Sequence, residues 1–459
     1  MSLHPLTLRR MKTSGEPSSG RIVRVSRNAE DWCVTESHRE RLLGTEAPDW
    51  FSLSTAARAG DDVRCFKRGH GRWTWRVRLG NRAVFVKVIK STGLADRFKQ
   101  LVMGGPAERE WRRAHDAERL SVPAVRPLAV GVQKGVVTKC VLITEELAGA
   151  SDLAETWERR VASLDWALRR SAVMEVIEPV ALLFAIAHHR GFIHRDAHPG
   201  NILLSSIEEG LLGAWFGDVH GARITLGRVS ARRAARSLAH IDQHFQRRAT
   251  RTERMRFLKS YIAGRRELAG ASLAVVSRRA LVNELETATR LHGERLAKQR
   301  DARMRRRGKY FSTFVVGNWR VTAVLRLARR HVFPEPDVPD RTEDQWQRLL
   351  KPLLAAFDTD GGSGNPAFRT SGEGREAVVL ESARPAGLIE RLAWTLGASK
   401  HRQAFERSHK MRHRDRWCPL AFAVARRSSG GLVDRTVLVT PGTQKPGGEE
   451  QTGKRGASS

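Results

Sequence analysis

The chain has 459 residues with 41% hydrophobic content, enough for two to four domains of about 150 residues with real cores, which excludes a disordered or fibrous polypeptide. Its formal net charge of +32 calls for polyanionic partners such as nucleic acid, anionic lipid or phosphorylated glycan, although only 15 of the 81 basic residues are Lys, so part of it is an arginine bias of composition. Four scattered cysteines (Cys33, Cys65, Cys140, Cys418) form no C-x-x-C, which excludes a zinc finger and a disulfide framework and fits a reducing cytoplasm.

Residues 1–19 lack the apolar core of a signal peptide, and the longest apolar run, residues 180–187, is far short of the roughly 20 residues a spanning helix needs. The expectation is a protein that is neither exported nor membrane-spanning. Residues 1–48 read as a flexible polar leader with a short helix over 36–43. From Trp50 the pattern tightens. Trp73, Trp75, Val77 and Leu79 alternate, Gly80-Asn81 makes a turn, and residues 83–89 are rich in β-formers, which predicts an antiparallel hairpin.

Gly69 and Gly71 precede that hairpin. A glycine-rich strand-turn-strand followed by a strand bearing Lys can cover a triphosphate, with backbone amides over the phosphates and the lysine on the α and β phosphates. Period two puts Ala83, Phe85, Lys87 and Ile89 on one face and Val84, Val86, Val88 and Lys90 on the other. Lys87, bracketed by apolar neighbours, is preferred over Lys90 at the strand end. A helix follows from Pro106, with Ala107, Trp111, Ala114 and Leu120 as its apolar stripe. A buried lysine needs a carboxylate, and Glu110 is better placed than Glu108. A buried strand then breaks at Glu145-Glu146-Leu147 into a linker suited to bonding an adenine. Residues 164–190 carry a helical stripe (Val173, Val176, Val180, Leu183, Ile186) in which Pro179 predicts a kink or break.

The segment GFIHRDAHPGNILL, residues 191–204, contains His194-Arg195-Asp196 and, five residues after Asp196, Asn201. In H-R-D-x-x-x-x-N the Asp accepts the proton of the attacking hydroxyl and the Asn holds magnesium on the phosphates. Asp218 lies 22 residues beyond Asp196, where an apolar run ends at Gly217; this is the setting of a second metal-binding carboxylate. The triplet reads Asp218-Val219-His220, so the Phe and second Gly of D-F-G are absent.

Taken together, the glycine loop, Val86-Lys87-Val88, REW helix, VPAVRPLAVG, TEEL hinge, HRDAHPGNILL and RMRFLKSYIAG resemble the lipopolysaccharide core kinase family, the Kdo kinase and WaaP group of the protein-kinase-like superfamily, over roughly residues 50–330. HPGN is shared with aminoglycoside phosphotransferases and UbiB-like kinases; no Lys-x-Gly-Gln supports the latter. The resemblance implies an α+β two-lobed fold, ATP and Mg2+, and a sugar hydroxyl of the lipopolysaccharide inner core as acceptor. It also implies a cytoplasmic location, peripheral at the inner membrane. It gives Asp196, Lys87 and Glu110 catalytic roles, Gly69, Gly71, Lys87, Glu145, Glu146 and Leu147 nucleotide binding, and Asn201 and Asp218 the metal. The alternatives are a protein or small-molecule kinase, or a pseudokinase scaffold binding a polyanion.

Between Arg228 and His331, 27 lysines and arginines face 7 acidic residues, a field that attracts polyanions, whether nucleic acid, anionic lipid headgroups or phosphorylated glycans; the resemblance makes an anionic membrane surface or glycolipid the expected partner and nucleic acid the unlikely one. The chain also repeats itself. At an offset of 294, Gly93, Leu94, Arg97, Arg113 and His115 fall on Gly387, Leu388, Arg391, Arg407 and His409, while Lys87 falls on Glu381 and Glu110 on Ala404. The expected organisation is a leader over 1–48, a small lobe over 49–148 and a large lobe with a basic helical extension over 149–334. A linker over 335–375, a degenerate small lobe over 376–440 and a disordered tail over 441–459 complete it.

Overall fold

The computed structural model describes residues 20–27, 29–53, 62–69, 71–91, 105–135, 137–208, 211–270, 278–326, 341–358, 367–370, 377–414, 416 and 418–441. They form two units, residues 1–292 and 293–459.

The first unit begins with a hairpin, β1 (Ile22–Arg27) and β2 (Glu30–Thr35), and a short helix α1 (Arg39–Leu43). The reading of residues 1–48 as a leader is therefore corrected from Ile22 onward. Trp32, Val34, Leu42 and Leu43 are buried. Each strand is only six residues long and carries charges, and β2 finds its second partner about a hundred residues away, so no local pattern reveals it. Next come β3 (Val63–Gly69), β4 (Arg72–Leu79), β5 (Arg82–Ser91), α2 (Pro106–Arg119), β6 (Pro127–Gln133) and β7 (Thr138–Glu145). The sheet runs β1-β2-β6-β7-β5-β4-β3, antiparallel throughout. Gly80-Asn81 is the expected two-residue turn, with Leu79 opposite Arg82 and Gly80 at φ +62°. Period two holds in β5: Val84, Val86 and Val88 enter a core with Trp32, Trp50, Phe51 and Trp75, leaving Phe85, Lys87 and Ile89 on the other face.

The large lobe follows with β8 (Ser151–Asp152), α3 (Leu153–Trp157), α4 (Trp166–His189), β9 (Phe192–Ile193), β10 (Ile202–Glu208), β11 (Leu211–Phe216), β12 (Arg223–Ile224), α5 (Ala231–Phe245) and α6 (Arg251–Ala269). A last helix, α7 (Arg278–Arg303), continues into the second unit. Its core is α4, whose residues 180–187 are all buried. Of the expected kink or break at Pro179 there is no break: α4 is one continuous helix with the proline inside it. Proline orphans the carbonyl four residues earlier, here that of Glu175, an exposed position where water can satisfy it. Among the described residues α4 is also the one helix long and apolar enough to cross a bilayer, yet 72% of that window is buried inside the protein. The apolar run alone understates it, because His188 and His189 close a 24-residue core helix.

The second unit contains β13 (Phe311–Val316), β14 (Trp319–Val324), α8 (Glu343–Ala355), β15 (Ala367–Thr370), β16 (Ala377–Ala383), α9 (Leu388–Thr395), α10 (Lys400–His413), β17 (Ala423–Ser429) and β18 (Leu432–Pro441). Its sheet order is β13-β14-β17-β18-β16-β15. This corrects two boundaries. Residues 311–324 are not a basic extension of the large lobe, and residues 343–355 are not a linker: Trp346, Leu350 and Leu354 pack in the same core as Trp319, Val321 and Val437. Matching β13 to β1, β14 to β2, β15 to β4, β16 to β5, β17 to β6 and β18 to β7 reproduces the strand order of the small lobe. The register agrees as well. Cys33, Val130, Leu142 and Lys87 stand in one row across four strands, and Thr322, Val424, Leu438 and Glu381 stand in the corresponding row. The tail over 442–459 lies outside the described residues.

Candidate active site

Strand β5 carries Lys87 to the cleft side of the small-lobe sheet, and the first turns of α2 carry Glu110 toward it. The two meet at 2.5 Å, with Glu110 buried. Asp218 approaches the same ammonium at 3.6 Å. Burial works against the charge on Lys87, but Glu110 and Asp218 outweigh it and hold the ammonium above its ordinary pKa. Glu108 is excluded as the lysine's partner by its own work, since its carboxylate accepts from the Gly105 N–H and caps α2.

The loop after β9 is built around His194. Its buried ring donates through Nε2 to the Gly217 carbonyl at 2.9 Å and accepts the Asp196 N–H on Nδ1 at 3.2 Å. Burial pushes its pKa down, which keeps the neutral tautomer these two bonds require. Asn201 donates from Nδ2 to the Asp196 carbonyl at 2.9 Å, and its own carbonyl accepts from Gly217 N–H at 2.8 Å. One histidine and one asparagine thus fix the backbone of the Asp196 loop to that of the Asp218 loop. The Asp196 carboxylate is left exposed to solvent.

Asp218 sits in the left-handed region at φ +52°, a conformation Asp tolerates better than most residues. His220 Nδ1 is 2.7 Å from its carboxylate. Burial would raise the carboxyl, but the His220 bond and the Lys87 charge hold it well below the usual carboxylate range, and the same bond pushes His220 up. Sequence reasoning noted His220 only as a departure from D-F-G. The structure makes it, with Glu110 and Asp218, one of three groups whose ligand atoms lie within 4.8 Å of one another. A divalent cation fits here: Asp218 offers an anionic oxygen, and Asn201, with Nδ2 spent on a carbonyl, has Oδ1 left to face it.

Lys87, Glu110, Asn201, Asp218 and His220 line a cleft of about 850 Å³ within the first unit, together with Glu145, Glu146 and Leu147 of the connection between the lobes. Glu146 forms a two-pronged pair with Arg76 of β4 at 2.6 and 2.9 Å, a contact 70 residues apart that the sequence does not announce. The Glu145 N–H bonds the Arg126 carbonyl. Gly69 and Gly71 end up at the tip of the β3–β4 hairpin, Gly69 paired with Arg72 and Gly71 at φ +70° with its carbonyl bonded by Lys90 N–H. Phe66, Lys67, Arg72 and Trp73 of the same hairpin line the cleft.

Residues 81–261 match the lipopolysaccharide kinase (Kdo/WaaP) family. A solved structure titled "WaaP in complex with acyl carrier protein" is 21% identical over 57% of this chain and 99% of its own, with a TM-score of 0.40. No curated protein matches the chain.

Proposed function

Residues 81–261 being a domain of the Kdo/WaaP lipopolysaccharide kinase family, and with it a phosphotransferase, we propose that the chain moves the γ-phosphoryl of ATP onto a sugar hydroxyl of the lipopolysaccharide inner core. The observation that carries the reading is the Lys87–Glu110 pair with Asp218 beside it. Phosphoryl transfer asks little covalent chemistry of a protein; it asks for positioning and charge. Lys87, steadied by Glu110, binds the α and β phosphates. Asn201 and Asp218 would hold Mg2+, whose charge would offset that developing on the phosphates. Asp196, exposed and with its backbone tied to His194 and Asn201, orients the acceptor hydroxyl and takes its proton. The connection at Glu145–Leu147 bonds the adenine, and the hairpin tip with Gly69 and Gly71 closes over the phosphates.

The acceptor is part of a membrane glycolipid, so we place the reaction at the cytoplasmic face of the inner membrane, with the basic stretch 228–331 against its anionic surface. Comparing the phosphate content of the core glycolipid from cells with and without the protein tests the assignment. Loss of core phosphate, restored by the unmodified chain and not by Asp196→Ala, is expected. Unchanged core phosphate would overturn it.

A further inference from the structure

The degenerate copy carries a surface that its counterpart lacks. Helix α9 turns Trp394 inward against Ala383 and Val433, and Thr395 Oγ1 accepts the Val433 N–H at 2.9 Å. Its opposite face is bare: Leu388, Ile389, Leu392 and Leu396 are 69%, 87%, 52% and 82% exposed. At spacings of one, four and eight residues these four share one side of a helix. The other large exposed apolar side chains among the described residues are scattered through the chain. Contiguous exposed apolar surface of this kind marks an interaction site.

Beside it, Trp394 forms part of the wall of a cavity of about 240 Å³ into which Arg305, Arg320, Arg402 and Arg426 converge. Arg320 and Arg426 stand directly opposite each other on β14 and β17, a like-charge pairing that costs stability. Burial, then Arg320 and Arg402, hold the Arg426 guanidinium below its ordinary pKa. The carboxylate in the wall, Glu406, is shared by Arg402 at 3.3 Å, Lys410 at 2.9 Å and Arg305 at 3.8 Å. The fold does not require these arginines. The positions corresponding to Arg320 and Arg426 in the small lobe are Asp31 and Val132, paired across β2 and β6, and Arg402 corresponds at the offset of 294 to Glu108. One framework thus places acid and valine where the other gathers guanidinium groups.

We propose that this face of the second unit docks on a bilayer bearing anionic phosphate lipids, with the α9 leucines and isoleucine entering the headgroup–acyl boundary and the arginine cavity taking a lipid phosphate. Guanidinium groups bind phosphate through paired N–H donors, and an amphipathic helix lies in the interface with its apolar side a few ångströms deep, about 5–10 Å. A second copy of this chain is a poorer occupant, because a two-fold contact through α9 brings two arginine clusters together. The inference goes beyond the attraction assigned to residues 228–331, and it does not depend on phosphoryl transfer.

The test is flotation of the full chain, without nucleotide, on vesicles of phosphatidylcholine alone and of phosphatidylcholine mixed with phosphatidylglycerol. Binding to the mixed vesicles is expected to fall roughly tenfold in Leu388→Ser/Ile389→Ser/Leu392→Ser and in Arg320→Ser/Arg426→Val, with the thermal melt unchanged in the first and no lower in the second, which loses a like-charge pairing. The single exposed change Ile389→Ser gives a smaller loss in the same direction and guards against misfolding of the triple variant. Unaltered vesicle binding in both multiple variants would overturn the proposal. So would inorganic phosphate binding at the arginines without any vesicle binding, or a dimer in sedimentation that the serine variant dissolves.

Discussion

The small lobe and the second unit show which parts of a fold are architecture and which are chemistry. Over six strands both sheets run in the same order and the same register, β3 having no counterpart among the described residues of the second unit. Each ties its last long strand to the helical connector with a cation: Lys139 Nζ donates to the Phe51 carbonyl at 3.2 Å, and the fully buried Arg435 donates to that of Phe357. Each seats a buried indole on a carbonyl, Trp50 on Leu42 and Trp346 on Val324, both at 2.7 Å. The cleft face shares none of this. Where Lys87 meets Glu110, Glu381 lies 3.5 Å from His401, whose charged form burial disfavours. Packing recurs because every strand depends on it, whereas the Lys87–Glu110 pair, which no strand needs for its place in the sheet, is absent from the second copy.

The largest effect should come from breaking this contrast at its centre. Asp218→Asn is expected to lower ATP turnover by roughly 10²–10³-fold, while Glu381→Gln leaves it unchanged; equal losses in a coupled assay would show that the second copy takes part in catalysis. A smaller effect tests the histidines. His188 is buried against Tyr261 and its pKa is pushed down to about 3. The folded state therefore refuses a proton that the unfolded chain takes near 6.5. Stability is full above that pH and falls by about 1.4 kcal/mol per pH unit as pH drops toward 3. Urea titrations of the full chain between pH 7 and 5 should show stability falling with pH, and His188→Gln, which keeps an acceptor for Tyr261, should lessen that fall. The smallest effect sharpens the likeness: Trp50→Phe and Trp346→Phe each orphan one buried carbonyl and should cost about 1–3 kcal/mol. A melt in which only one of them matters would mean that the two frameworks are not held alike.

Legibility in the sequence followed the same division. Lys87, Glu110, Asp196, Asn201 and Asp218 could be picked out because strand period and loop spacing are local, and the structure gathers them in and around one cleft. The hairpin of β1 and β2 was invisible because its burial is set by β6, far along the chain. Residues 311–324 were misread for the same reason, as their partner β17 lies about a hundred residues on. His220 and the Arg76–Glu146 pair could not be foreseen, since neither has a spacing rule. The offset of 294 found the repeat only from residue 376, because the leading hairpin of each copy keeps its place in the sheet but not its residues or its spacing, Cys33 and Thr322 occupying the same row at an offset of 289.

Twin sheets in one chain pose a question of timing. In each, the leading hairpin waits for a strand about a hundred residues later: Val34 for Ala129, Ala323 for Ala423. At ribosomal rates of about 5–20 residues per second that wait is roughly 5–20 s. The foreign strand that could also receive β2, namely β17, emerges about four times later still, after the first sheet has closed. Synthesis from one end thus separates two frameworks that would otherwise compete for each other's edges. Refolding from denaturant releases all strands at once and loses that protection, so recovery of the native chain should be poorer from urea than from the ribosome.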